Sequence, residues 1–229
     1  MSVFGLETIE GVYHHTAGVA PGAPVFSGLV RAANLDSQTA PTIVNDGWSL
    51  SNLRGRLIEL SALEASASLT LTCTLILEAQ RIPTLVTWIY IGRDSFFPPD
   101  MAANGVELSD LTVVRVPDAA SAGRAADWLL RSRAFGLLIA DLGRDFRFPA
   151  PLQARLAQLC RRQGAVLLFL TVKPDGAPSL GSLVSLHARA FRQRIAPGLF
   201  RCSLSIIKDK RRAPGWKHTE EFCGPPGLC

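Results

Sequence analysis

Residues 57–81, LIELSALEASASLTLTCTLILEAQR, place a run of small residues between two apolar segments. This order of strand, loop and helix is the one that holds nucleotide phosphates in many proteins. Such a loop uses glycines so that backbone N–H groups point at the phosphates, a lysine for positive charge, and a Ser or Thr hydroxyl for magnesium. The loop at 62–70 contains neither glycine nor lysine. The sequence therefore predicts a loop of this shape that binds triphosphate poorly.

Individual positions of the loop depart from the phosphate-binding pattern. The lysine position falls on Ser68, and the glycine before it falls on Ala67. The next residue is Leu69, whose side chain cannot bind a metal ion. Thr70 could take the magnesium role, but no residue of the loop replaces the lysine. The candidate positions of this degenerate loop are Ala62, Glu64, Ser66, Ala67, Ser68 and Leu69. We expect them to hold no cofactor or metal and to include no catalytic residue.

The composition of the chain indicates a folded protein. The 229 residues suit one domain with a short extension, and 48% hydrophobic residues suffice for a sizeable core. No window approaches the ~18 consecutive apolar residues of a membrane-spanning helix, and the N-terminus lacks the pattern of a signal peptide. We expect a cytoplasmic protein without membrane contact. The net charge of +5 permits, without requiring, contact with nucleic acid or an acidic partner.

The five cysteines do not form a recognisable metal site. Cys73, Cys160 and Cys202 lie inside apolar segments, which predicts small core residues. Cys223 and Cys229 are separated by five residues near the C-terminus, a spacing that no familiar zinc site uses. We therefore expect no metal bound by cysteine.

Apolar runs and helical patterns alternate along most of the chain. The predicted strands are 56–60, 84–91, 111–116, 136–141, 165–172 and 200–212. Helices are predicted at 118–134, which starts at a capping aspartate, and at 151–164, which opens with Pro and stops at Gly. Strands that alternate with helices indicate βαβ units and a mostly parallel sheet. The predicted class is therefore α/β.

The chain divides into two regions of different character. Residues 1–50 are weakly patterned and contain the Gly- and Pro-rich run TAGVAPGAPVFSG. They predict an N-terminal arm or extension. Residues 51–229 carry the regular pattern and predict the core domain.

Residues 68–77, SLTLTCTLIL, give two conflicting signals. Their alternation with a period of two favours a strand. The residues that follow look helical, and the βαβ order needs a helix after the strand at 56–60. We predict a helix, with a strand as the alternative. A strand here would mean that the loop at 62–70 is unrelated to a phosphate loop.

Four stretches together carry a resemblance to a known family. They are GRLIELSALEASASLTLTCTLILEAQ, NGVELSDLTVVRVPDAASAGRAADWLLRSRAFGLLIADLG, AVLLFLTV and LSIIKDKRRAPGWKHTEEF. From about Arg54 to the C-terminus, the chain resembles the ATPase core of the RecA family of recombinases. It looks closest to the degenerate bacterial ImuA or SulA-like members, which belong to SOS-mutagenesis cassettes. The resemblance implies a three-layer RecA-like fold, with a mostly parallel central sheet flanked by helices.

The resemblance also implies that the ATPase site is degenerate. The phosphate loop falls on 62–70, and the acid that activates water falls near Arg93. The glutamine that ends the sensing strand falls near Val172, while the aspartate that closes the magnesium-binding strand is retained as Asp141. The two loops that bind DNA in recombinases should follow these two strands, and both are short. We therefore expect a pseudo-ATPase and not an enzyme.

One basic segment of the family pattern is retained. The run KDKRR places Lys208 and Lys210 where recombinases carry a lysine pair, which reaches the ATP of the neighbouring subunit. Arg211 and Arg212 follow directly. These four residues are the candidate contacts with a partner or with nucleic acid. The alternative interpretation is a solvated basic end of a strand.

These implications lead to one expected function and two alternatives. We expect a catalytically inactive partner in the DNA-damage (SOS) response and translesion mutagenesis. It would bind RecA, the Y-family-like ImuB polymerase complex, or both, limit RecA filament activity, and bind DNA weakly. The first alternative is a nucleic-acid-binding module that uses the same basic segment with Lys217 and Trp216. The second is an unorthodox ATPase that uses Asp141 and Thr70.

Overall fold

The computed structural model of the protein describes residues 47–63, 67–92, 96–144 and 148–224. The predicted arm at 1–50 lies outside these ranges except for its last four residues, and so do Glu64, Ser66 and Arg93. No helix within these ranges has the length and apolar character needed to span a bilayer.

The described residues form eight strands and five α-helices. The strands are β1 Leu57–Ala62, β2 Leu85–Ile91, β3 Leu111–Val116, β4 Phe135–Gly143, β5 Val166–Val172, β6 Leu186–Ala196, β7 Leu199–Asp209 and β8 Lys217–Cys223. The α-helices are α1 Leu50–Leu53, α2 Ser68–Gln80, α3 Pro98–Ala103, α4 Ala119–Ser132 and α5 Ala150–Gln163. A 3₁₀ turn, Leu108–Asp110, precedes β3. Strands and helices alternate from β1 to β5, as expected for βαβ units.

The strands form one mixed sheet in the order β3-β2-β4-β5-β1-β6-β7-β8. All pairings from β3 to β6 are parallel, and β7 is antiparallel to both β6 and β8. Strand β5 lies between β1 and β4, with Ala62 opposite Val172 and Asp141 opposite Leu170. The carboxyl ends of these strands meet at one edge of the sheet, named here the carboxyl edge; the opposite edge is the amino edge. The predicted α/β class and mostly parallel sheet are confirmed.

Each face of the sheet carries its own apolar core. Neighbouring residues of a strand point to opposite faces, so Ile58 and Leu60 lie in the first core and Leu57 lies in the second. Helices α1, α2 and α3 contribute buried residues to the first core, and α4 and α5 contribute to the second. Strands that are covered on both faces read as continuous apolar runs. This explains the runs GLLIA and AVLLFL in the sequence.

Residues 68–80 form helix α2, which confirms the prediction of a helix. The alternation of Thr and Leu does not mark an exposed face, because all residues from 71 to 76 are buried. Thr72 Oγ1 donates to the Ser68 carbonyl at 2.7 Å, and Thr74 Oγ1 donates to the Leu71 carbonyl at 2.9 Å. Hydroxyls that bond to their own helix backbone can be buried without another partner. The polar residues of this segment are therefore compatible with a buried helix.

The sequence prediction missed β6 and β8. The predicted strand at 200–212 corresponds to β7, which ends at Asp209. In β6 the first five residues are buried and most of the others are exposed, because only its first part pairs with β1. A strand that crosses two environments has neither a continuous apolar run nor a regular alternation. Strand β8, KHTEEFC, lies at the end of the sheet and is rich in polar residues.

Candidate functional site

A pocket of about 230 Å³ opens at the carboxyl edge, where β1 ends and α2 begins. It is lined by Ala62, Leu63, Ser68, Leu69, Trp88, Asp141, Leu170, Thr171 and Val172. These residues come from the ends of β1, β4 and β5, from β2, and from the first turn of α2. The segments that the resemblance assigns to the phosphate loop, the magnesium-binding strand and the sensing strand thus border one cavity.

The described lining of this pocket is unsuited to a triphosphate. It contains no lysine or arginine, and Asp141 is the residue among these nine that can carry a charge. Ala67 precedes α2 without a side-chain capping bond, and Leu69 lies at the position that the resemblance assigns to a metal ligand. The N–H groups at the start of a helix favour anions, but here a carboxylate and apolar side chains oppose them. A triphosphate would gain little charge neutralisation from this lining.

Asp141 lies in an environment that disfavours its charged form. Burial raises the pKa of Asp141 to about 6, and the hydrogen bond from the backbone N–H of Gly143 offsets only part of this effect. A neighbouring cation would lower the pKa instead, and the described lining supplies none. Among the described residues that line the pocket, Asp141 therefore has no countercharge.

Thr70 is not among the residues that line the pocket. Its side chain is hydrogen-bonded to the Cys202 thiol of β7. Burial raises the pKa of this thiol to about 11, although the bond to Thr70 acts in the opposite direction. The ATPase alternative requires Thr70 and Asp141 to share one metal site. The structure does not bring these two residues together in the pocket.

The basic segment lies at the amino edge, opposite the pocket. Asp209 is opposite Leu186 of β6, and Leu186 is opposite Ile58 near the start of β1. The candidate contacts in this segment are Lys208, Lys210, Arg211 and Arg212. The two sites predicted from the sequence therefore occupy opposite edges of the same sheet.

The two lysines of this segment have different surroundings. A shift of register between β6 and β7 places Lys208 opposite His187. The Lys208 ammonium donates to the carbonyls of Gly181 and Ser182 at 3.3 and 3.2 Å. Burial lowers the pKa of Lys208, and the charge of Lys210 lowers it further. Lys210 is exposed, so Lys208 fastens the loop before β6 whereas Lys210 faces solvent.

Asp209 fixes the turn that follows β7. Its fully buried carboxylate accepts hydrogen bonds from Arg56, from the Trp216 indole N–H at 3.1 Å and from the Arg211 backbone N–H at 2.8 Å. Burial alone would raise the pKa of Asp209, but these bonds outweigh it and hold the pKa below its usual value. The Trp216 ring packs against the first core. Trp216 is thus an anchor of this turn.

A buried polar network joins β1, β5 and the loop after β5, and the sequence analysis missed it. Glu59 is fully buried. Its carboxylate accepts hydrogen bonds from the Leu180 N–H at 2.6 Å, Thr171 Oγ1 at 2.9 Å and the Lys173 ammonium at 2.6 Å. The available signal was a carboxylate inside the apolar run RLIEL, because a charge in a strand covered on both faces needs partners.

The cysteines occupy the positions that the sequence predicts. Cys73, Cys160 and Cys202 are buried in the two apolar cores, which confirms that they are core residues. In the part of the chain that the structure describes, no group of His, Cys, Asp and Glu side chains is arranged to hold a metal ion.

The fold and the site together define a class of protein in structural terms. It is an α/β protein with a mixed eight-stranded sheet, a largely apolar pocket at the carboxyl edge and a basic segment at the amino edge. No protein-family model matches the chain.

Proposed function

We propose that this protein is a catalytically inactive, RecA-like protein of the ImuA or SulA-like type. It acts by binding other proteins in the DNA-damage (SOS) response and in translesion mutagenesis. The observation that carries the proposal is the pocket at the carboxyl edge. It is bordered by the three segments that the resemblance assigns to a nucleotide site, and its described lining has no basic residue. Phosphate loops depend on such a residue. A pocket at this position whose described lining has no cation supports the proposal of an inactive relative.

The finer fold that we infer is a three-layer RecA-like core. Strand β5 separates the loop-bearing strand β1 from the acid-bearing strand β4. This is the order in which a sensing strand would lie between the phosphate loop and the magnesium-binding acid. Helices also contribute to separate apolar cores on the two faces of the sheet. Both features support the three-layer arrangement.

The partners that we propose are RecA and the ImuB-type polymerase complex. In recombinases the lysine pair reaches the ATP of the next subunit, and Lys210 is exposed at the amino edge of this protein. If the amino edge docks on the ATP-bearing face of RecA, the carboxyl edge with its pocket becomes the new end of the filament. Because the described lining of this pocket offers no cation to a triphosphate, the next RecA subunit would find no ATP to contact. Filament growth would then stop.

Lys210→Ala is expected to weaken capture of RecA by about tenfold or more, since a hydrogen bond to a charged group contributes roughly 1.5–3 kcal/mol. It should also reduce inhibition of RecA strand exchange. Capture is measured with immobilised protein, RecA and a non-hydrolysable ATP analogue. Inhibition is measured in a separate RecA strand-exchange assay. Arg194→Ala is the matched control, because Arg194 is an exposed residue in the part of β6 that lies towards the carboxyl edge.

The single variant leaves Lys208 intact because Lys208 also fastens the loop before β6. The double variant Lys208→Ala/Lys210→Ala is the second test. If wild type and both variants bind and inhibit equally, the docking model is wrong. If the wild type does not bind RecA at all, RecA is not the partner, and capture of the ImuB-type complex becomes the deciding measurement.

Titration with a fluorescent ATP analogue tests the pocket itself. We expect no saturable binding at micromolar concentrations, because the described lining offers one carboxylate and no cation to the triphosphate. RecA serves as the positive control under the same conditions. Saturable micromolar binding to this protein would contradict the inactive-pocket proposal and favour the ATPase alternative.

A further inference from the structure

Three segments bring a dense positive charge to the amino edge. They are 54–56 before β1, 160–165 at the end of α5, and 208–217 between β7 and β8. Together they contain nine lysines and arginines and one acid, whereas the whole chain has a net charge of +5. We call six of their seven exposed lysines and arginines the basic edge: Arg54, Arg161, Arg162, Lys210, Arg211 and Arg212. The seventh, Lys217, is the first residue of β8.

Contacts around two glycines bring the three segments together. The Arg211 guanidinium donates to the Gly55 carbonyl at 3.5 Å. A Cβ atom at Gly55 would lie 3.4 Å from Nη2 of Arg211 and 3.5 Å from Cα of Arg161. A Cβ atom at Gly164 would lie 3.8 Å from Nε of Arg54. Cations from three distant parts of the sequence therefore share one surface.

The acid of these segments does not neutralise the basic edge. Asp209 is buried and forms its ion pair with Arg56, which is also buried. Burial lowers the pKa of Arg56; Asp209 opposes this, and the charges of Arg211 and Arg212 add to the lowering. Arg211 and Arg212 thus lie close enough to Arg56 to act on its charge. Like charges at short range repel, and binding of an anion relieves this repulsion.

We propose that the basic edge binds the phosphate backbone of a nucleic acid. Five of its six residues are arginines, and a guanidinium matches two phosphate oxygens in bidentate geometry. A nucleic acid presents phosphates at a regular spacing, which side chains from three adjacent segments can contact together. Binding at the basic edge follows from charge and contacts alone and is independent of the RecA-like assignment and of docking to RecA.

The basic edge recognises the backbone and not the bases. Trp216 is the aromatic residue of the three segments. Its indole N–H is bonded to Asp209, and its ring packs against the first core. Proteins that prefer single strands stack bases on accessible rings. We therefore expect binding without sequence preference, with a duplex bound at least as tightly as a single strand because its charge density is higher.

Anisotropy titrations with a labelled duplex of roughly 30 base pairs, and with one of its strands, measure this binding over a range of salt concentrations. Contact with about four phosphates gives a slope of log association constant against log salt of about −3.6 for the duplex. The variant Arg54→Ala/Arg161→Ala/Arg162→Ala should reduce the size of this slope by about 2–3 and weaken binding about 30-fold or more at low salt. The variant with three lysines at these positions should retain most of the slope.

The matched control is Arg115→Ala/Arg192→Ala/Arg194→Ala, which removes the same charge from exposed positions on β3 and on the distal part of β6. It should change the slope by less than about one unit. Circular dichroism checks the fold of every variant. Equal losses in the alanine variant and in this control would mean that net charge alone drives binding, and would overturn the proposed site.

Two further results would overturn the inference. A single strand bound more than about tenfold tighter than the duplex would mean that bases are stacked. Poly-glutamate bound as tightly as the duplex at the same salt would assign the basic edge to an acidic protein partner. RecA is absent from these titrations, so their failure leaves docking to RecA standing, and failed RecA capture would leave nucleic-acid binding standing.

Discussion

Replacement of Glu59 by alanine is expected to lower the free energy of unfolding by about 3–5 kcal/mol, as when one partner of a buried ion pair is removed. The Glu59 carboxylate is fully buried and accepts from Leu180, Thr171 and Lys173. Without it, the Leu180 N–H loses its acceptor inside the protein, and the Lys173 ammonium keeps its bond to the Pro178 carbonyl. Urea unfolding followed by circular dichroism measures the change.

Glu221→Ala is the control for this substitution. Glu221 pairs with Arg201 at 2.7 Å, but the side chains are 29% and 45% exposed. Exposed ion pairs contribute roughly 0–1 kcal/mol, so the loss should be far smaller than for Glu59. Glu59→Gln, which keeps an acceptor for one donor, should fall between the two. Similar losses for the two alanine variants would mean that the Glu59 network does not hold the loop after β5 on the sheet.

Asp141→Asn is expected to stabilise the protein by about 1–3 kcal/mol at pH 8, because a pKa unit corresponds to about 1.4 kcal/mol. The pKa of Asp141 is about 6 in the folded protein, compared with roughly 3.9 in an unfolded chain. Between these values the folded state binds more protons than the unfolded state, so stability falls as pH rises through this window. Above it, the folded protein carries the full penalty of a buried carboxylate, which asparagine avoids.

The stabilisation should disappear near pH 4, where the carboxyl group is protonated in the folded wild type. Urea unfolding of both proteins at pH 8 and pH 4 makes the comparison. Asp110→Asn is the control, since Asp110 is exposed in the 3₁₀ turn and should change stability by less than about 0.5 kcal/mol. A less stable Asp141→Asn variant at pH 8 would mean that the carboxylate has a stabilising partner. A gain that persists at pH 4 would mean that its charge is not the cause.

Glu59 and Asp141 differ in the partners that surround their carboxylates. Glu59 and Asp141 both lie in parallel strands, but the carboxylate of Glu59 receives an ammonium and two further donors, whereas the described lining of the pocket brings no cation to Asp141. If Asp141 lowers stability as expected, folding does not explain its position, and an acid with a raised pKa in a pocket is a candidate functional group. In the proposed function, that position belongs to the inactive nucleotide pocket.

The sequence by itself determined strands β1 to β5 and β7 and helices α2, α4 and α5, and it showed which phosphate-binding residues the loop lacks. Apolar runs separated by helical patterns predicted the parallel part of the sheet, because strands that are buried on both faces consist of consecutive apolar residues. The βαβ order predicted α2 against the alternation of its threonines and leucines. The identities of Ser68 and Leu69 are visible without any structure. Composition within one segment was sufficient for the strands and for the loop, whereas α2 also required the order of the neighbouring segments.

Only the tertiary structure decided which charged side chains form ion pairs and which cations share one surface. Arg54, Arg161 and Arg211 are far apart in the sequence and meet around Gly55 and Gly164, because the start of β1 and the ends of α5 and β7 lie at the same edge of the sheet. The register shift that turns Lys208 towards Gly181 and Ser182 also arises between strands. Strand pairing and helix packing set these distances, and residue types within a segment do not encode them.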